Sequence, residues 1–156
     1  MKNLPPFVLL AVVASALTCP TASSQTLLYT FEGDSPDDLF GCSVSGAGDV
    51  NADGWPDFIV GARFDDTNGN NSGSATVFSG FDGSILHTFY GVSGGVEFSN
   101  EFQGLSGAGD VNGDGYADLI VGARLWGLND KGHAIVFSGK DGKRLYTFRG
   151  DSPHDQ

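Results

Sequence analysis

Gly46-Ala-Gly-Asp-Val-Asn-Ala-Asp-Gly-Trp-Pro-Asp57 returns as Gly107-Ala-Gly-Asp-Val-Asn-Gly-Asp-Gly-Tyr-Ala-Asp118, 61 residues further along the chain. Each copy runs on into Ile-Val-Gly-Ala-Arg, at 59–63 and 120–124. Oxygen-bearing side chains stand at alternate positions: Asp49, Asn51 and Asp53, then Asp110, Asn112 and Asp114. A glycine follows, and a further aspartate, Asp57 or Asp118, holds the ninth place. That alternation, with a glycine to turn the chain, is what a hard cation such as Ca²⁺ requires. An Asp-Gly hairpin turn without metal accounts for Asp53-Gly54 but leaves the acids at positions one and nine unexplained in both copies.

Working outward, the repeat extends past the loop. Phe78-Ser-Gly80 returns as Phe137-Ser-Gly139, each with Asp-Gly within two residues. Leu28-Tyr-Thr-Phe31, His87-Thr-Phe89 and Leu145-Tyr-Thr-Phe148 are three versions of one element, each followed two residues on by glycine (Gly33, Gly91, Gly150). The period is close to 60 residues, so the chain is read as two full units. Residues 1–24 are a signal peptide, 25–38 an orphan strand and link, 39–91 and 92–150 the two units, and 151–156 the opening of a third.

Strand-like runs at 26–31, 57–62, 74–79, 85–90, 118–123, 133–138 and 145–148 are separated by Gly, Asn, Asp and Ser clusters. A further strand is expected before each acidic loop, near 42–46 and 104–107. Beyond the N-terminus no segment carries apolar residues at helical spacing. The fold class is therefore all-β, and four antiparallel strands in about 60 residues make one propeller blade. Two four-stranded blades of an incomplete propeller, plus the orphan N-terminal strand, are the expected architecture.

Lys2 and the apolar stretch 7–17, followed by small residues, read as a secretory signal cleaved near Gln25, with lipidation of Cys19 as the rival. Cleavage leaves Cys42 alone, expected to be a small buried residue in a first strand. The net charge is −11, and six of the 19 acidic residues lie in the two loops. Two bound dications would offset four of those charges. The surface left is acidic, which argues against nucleic acid and against unassisted binding to anionic membranes.

An EF-hand or dockerin loop opens in the same way but needs a carboxylate at its twelfth position, where Val60 and Val121 stand here. With Phe40-Gly41 ahead of it and Ile-Val-Gly-Ala62 behind it, the loop instead resembles the FG-GAP repeat. That family builds the seven-bladed propeller of integrin α subunits and occurs in many bacterial surface proteins. The resemblance implies two Ca²⁺ sites in the loops joining the first two strands of each blade. Its ligands would be Asp49, Asn51, Asp53, the carbonyl of Trp55 and Asp57, then Asp110, Asn112, Asp114, the carbonyl of Tyr116 and Asp118. The second copy departs from the pattern. Aligned on the loop, Phe40-Gly-Cys-Ser-Val becomes Phe102-Gln-Gly-Leu, one residue shorter.

No histidine–acid–nucleophile set, phosphate loop or zinc spacing appears, and His87, His133 and His154 stand far apart. The expected function is non-catalytic: a secreted, calcium-stabilised module in adhesion or ligand binding, extracellular, at the cell surface, or periplasmic in a bacterium. Its ligand would be an extracellular protein or carbohydrate. The divergent segments 63–72 and 124–132, the latter carrying Trp126, are the candidate binding surface. The alternative is a scaffold or accessory piece of a larger secreted enzyme. Arg149-Gly150-Asp151 corresponds to Glu32-Gly33-Asp34 and Tyr90-Gly91-Val92, so its Gly-Asp is part of the repeat and the tripeptide is read as coincidence. Two blades cannot close a ring, and their faces must meet other blades, in a longer chain or by self-association.

Overall fold

The structure is a computed structural model that describes residues 26–91, 104–123 and 132–151. The N-terminal unit, Met1–Thr30, contributes only residues 26–30 to this description, and they run as exposed, irregular chain. The expected orphan strand at 26–31 therefore does not form there: no ladder pairing reaches these residues, and an extended run becomes a strand only against a partner's amides and carbonyls. The proposed signal segment, Cys19, Trp126 and most of the 124–132 loop lie outside the described residues.

The unit from Phe31 holds every described strand. After a short 3-10 turn at Pro36–Asp38, the chain forms β1 (Phe40–Gly48), β2 (Asp57–Ala62), β3 (Ser74–Phe78) and β4 (Ile85–Tyr90). These make one antiparallel sheet in sequence order. A second sheet repeats the meander with β5 (Leu105–Gly109), β6 (Asp118–Ala123), β7 (His133–Phe137) and β8 (Arg144–Arg149). The two share one register: Val44 pairs Val60 as Leu105 pairs Val121, and Phe89 pairs Ala75 as Phe148 pairs Ala134. Among the described residues no helix is long and apolar enough to cross a membrane.

The central strands explain the near-continuous apolar runs. β2 and β3 are buried along almost their whole length, because a middle strand has a paired neighbour on each edge and packing on each face. One core joins the sheets: Ala47, Ile59, Val77 and Phe89 of the first pack with Leu105, Leu119, Val121 and Phe137 of the second. Small residues let β1 approach β5. A Cβ on Gly107 would stand 2.8 Å from the carbonyl oxygen of Ala47. Hydrogen bonds cross the interface, among them those from Ala117 N to Asp49 O (2.9 Å) and between His87 Nε2 and Gly139 O (2.5 Å).

Cys42 corrects the expectation of burial, for it is exposed. The ladder between β1 and β2 shifts register between Phe40 and Ser43, with Gly41 at φ +86°. A bulge of this kind takes up an extra residue and turns it out of the pleat. This is where the first unit carries the residue that the second lacks.

Candidate metal-binding loops

In each blade the acidic loop joins the first strand to the second, and it is built mainly by side chains accepting backbone amides. Asp49 Oδ1 accepts from Asp53 N at 3.0 Å and Oδ2 from Gly54 N at 2.9 Å. Asn51 Oδ1 accepts from Asp53 N at 3.1 Å, and Asp53 Oδ1 from Trp55 N at 2.8 Å. The second loop repeats the set. Asp110 accepts from Gly113 N, Asp114 N and Gly115 N at 2.7, 3.0 and 2.8 Å, Asn112 from Asp114 N at 2.9 Å, and Asp114 from Tyr116 N at 3.1 Å. The amides of Gly115, Asp114, Gly113 and Asn112 hold the Asp110 carboxyl below its ordinary value, against a smaller cost of desolvation. Hydrogen bonding to the charged form favours it, so this carboxylate stays ionised where a cation could use it.

The curl of the loop demands left-handed backbone. Gly54 and Gly115 both have φ +89°, and position four is left-handed too, occupied by Gly113 in one blade and Ala52 (φ +58°) in the other. An L-residue in that region costs about 1–2 kcal/mol. Ala52→Gly is therefore expected to stabilise the chain by about 1 kcal/mol, less a few tenths for added unfolded-state freedom. An unchanged or lower urea midpoint would refute this.

Asp57 and Asp118 do something the sequence reading missed. Each is buried, and each carboxylate spans three parts of its blade. Asp57 opens β2, accepts from Val50 N at the start of the loop (2.7 Å) and from Gly80 N after β3 (3.0 Å). Asp118 likewise accepts from Val111 N (2.9 Å) and Gly139 N (3.1 Å). Gly80 and Gly139 must be glycine, because a Cβ on either would fall on the carbonyl oxygen of Pro56 or Ala117. The repeated Phe-Ser-Gly was the available signal, but its partner lies 23 residues away in sequence and only folding brings the two together.

Among the described residues, no three His, Cys, Asp or Glu side chains are grouped tightly enough to hold a metal on their own. The first, third and fifth positions are drawn into one turn, whereas the ninth faces the amides of the clamp. The donor chemistry fits a hard cation nonetheless: each loop offers carboxylates, an amide oxygen and main-chain carbonyls. Asp49, Asp57 and Asp118 accept one amide per oxygen and keep a lone pair on each, whereas at Asp110 Oδ1 already accepts two amides and the free lone pair is on Oδ2. Trp55 is exposed and packs on Phe81, centroids 5.9 Å apart, while Lys140 Nζ lies 5.1 Å over the ring of Tyr116.

The 63–72 segment is held by its own polar groups. Thr67 N and Asn71 N donate to Asp65 and Asp66 at 2.7 and 2.5 Å, and Asn68 Nδ2 reaches Gly91 O at 2.6 Å. Burial opposes ionisation of Asp65, yet bonds from Ser74 and Thr67 keep its carboxyl below the ordinary value. At neighbouring Asp38, burial and the carboxylates of Asp34, Asp65 and Asp66 push the carboxyl up.

The FG-GAP repeat matches residues 40–78 and 104–137. Among curated relatives, integrin alpha-7 of Mus musculus is 37% identical over 91 residues, which is 57% of this chain and 7% of the relative. Integrin alpha-5 of Xenopus laevis is 30% identical over 120 residues, 74% of this chain and 11% of the relative. Integrin alpha-11 of Homo sapiens is 38% identical over 88 residues, 54% and 7% respectively. The chain thus spans only about a tenth of the length of the relatives it matches.

Proposed function

This chain belongs to the FG-GAP repeat family, and on that premise we propose that it is a calcium-binding, non-catalytic segment of an extracellular β-propeller that works in adhesion or ligand binding. The observation that carries the calcium reading is the pair of loops closed by the same bonds from backbone amides to side-chain oxygens at the same positions, with oxygen donors at one, three and five. In the first blade Asp49, Asn51, Asp53, the Trp55 carbonyl and Asp57 would hold the ion. In the second, Asp110, Asn112, Asp114, the Tyr116 carbonyl and Asp118 would do so. Bound Ca²⁺ would supply positive charge against each loop's carboxylates. Asn51 Nδ2 donates to Asp53 Oδ2 at 2.8 Å, and this contact would have to yield. Asp57 and Asp118 would keep their amide bonds and offer a remaining lone pair.

Similarity to integrin α subunits and the acidic charge support a secreted protein whose partner is an extracellular protein or carbohydrate and not nucleic acid. Residues 1–24 would direct export, and segments 63–72 and 124–132 would present the binding surface. The test is calcium titration by calorimetry of the chain, of Asp49→Asn and of Asp110→Asn. Two sites per chain are expected, with one lost in each variant. At a free calcium concentration of about 100 times Kd, stability should rise by about 2.7 kcal/mol per site. No binding heat, together with identical unfolding in calcium and in chelator, would end the calcium reading.

A further inference from the structure

Phe89, Phe148 and Phe31 hold one position in the three copies of the Thr-Phe-x-Gly element. Phe89 on β4 leans across to the second blade and packs against Phe137 of β7 with its ring tilted 32°, centroids 4.4 Å apart, and is only 8% exposed. Phe148 occupies the same rung of β8, opposite Ala134 as Phe89 is opposite Ala75, yet it is 58% exposed. Tyr146 beside it is 49% exposed, where its equivalent His87 bonds to the neighbouring blade.

The matching seat for Phe148 exists on the first blade. Phe78 is the counterpart of Phe137, and Phe31 lies on it at 4.3 Å, with Phe58 at 5.3 Å. Two residues on, Gly33 sits so close to Phe40 that a Cβ there would be 2.7 Å from the Phe40 Cβ. The seat therefore takes the Phe-x-Gly of the Thr-Phe-x-Gly element; of its three copies, 31–33 is in the seat, Phe89 already packs on Phe137, and 148–150 is left exposed at Phe148. Phe31 fills it from a segment that is not a strand among the described residues. A cleft of about 250 Å³ remains, lined by Phe31, Phe40, Phe78, Ile85 and Tyr90 among others.

We propose that the β8 face of one copy docks on the β3 face of the first blade of a second copy, Phe148 and Gly150 taking the seat that Phe31 and Gly33 hold in the isolated chain. The occupant is a second copy because the contact would continue the interface already formed between the two blades in the same register, Phe148 and Phe78 standing where Phe89 and Phe137 stand and Tyr146 taking the place of His87. Residues 31–33 then act as an internal competitor that must be displaced. The inference rests on the reading that these blades stack as propeller blades do. It needs no metal, and association is read at fixed calcium, so failure of calcium binding leaves it standing.

The test is light scattering on the eluting chain over a wide concentration range, for the wild type, Phe148→Asp and Phe31→Ala. Concentration-dependent association is expected. It should weaken roughly tenfold or more in Phe148→Asp, as for a central aromatic contact, and strengthen in Phe31→Ala, whose seat is vacated. Phe148 is exposed, so its variant should keep the wild-type urea midpoint. If Phe31→Ala does not fold, Gly33→Ala weakens the competitor through its clash with Phe40 and gives the same readout. A chain that is monomeric at every concentration overturns the proposal, as does association untouched by Phe148→Asp.

Discussion

Asp118→Ala is expected to destabilise the chain by about 3–5 kcal/mol, and to do so with or without calcium. Asp118 is fully buried, and its two oxygens accept the amides of Val111 and Gly139. Hydrogen bonds to a charged group contribute about 1.5–3 kcal/mol each, and their loss leaves two desolvated donors behind. Against a total stability of about 5–15 kcal/mol for a domain, that is a large fraction. Asp57→Ala should behave alike, since Asp57 makes the equivalent bonds to Val50 and Gly80. Urea unfolding in chelator and in calcium checks this. If Asp118→Ala matches the wild type in chelator and falls behind only in calcium, the carboxylate is a ligand and not a clamp.

The second large effect is expected at Gly139. A methyl group there would fall on the Ala117 carbonyl oxygen and lie 3.1 Å from that of Val50 in the other blade. Both obstacles are backbone, so no side-chain rotation relieves them. The loop, the turn after β7 and the blade interface would have to part together. A cost above about 3 kcal/mol follows, in the range where backbone strain and overpacking combine. Gly80→Ala should match it, for its Cβ meets the Pro56 carbonyl in the same way. Gly46→Ala is the control: nothing lies within 4 Å of its Cβ, and a change under about 1 kcal/mol is expected. A Gly139→Ala protein that unfolds within 1 kcal/mol of the control would refute the packing argument.

The strands were legible because each rule that predicts them is local. Runs such as Asp57–Ala62 and Ile85–Tyr90 are short, apolar or alternating, and bounded by turn residues, and the repeat set one copy beside the other as a check. Cys42 misled because a bulge depends on how β1 pairs with β2, which composition does not record. Residues 26–31 misled because their sequence matches that of β8, while their pairing depends on what lies alongside.

Repetition along the chain thus established the two blades, their strands and the acidic loops, since local propensity and period survive in the sequence as written. Tertiary structure decided what the ninth-position aspartates bind, why Phe-Ser-Gly recurs, and which of three equivalent phenylalanines is covered. Those outcomes depend on backbone amides and aromatic faces brought together from distant segments. A buried carboxylate takes its role from the donors that reach it, and Asp57 meets Gly80 only once β2 and β3 have paired.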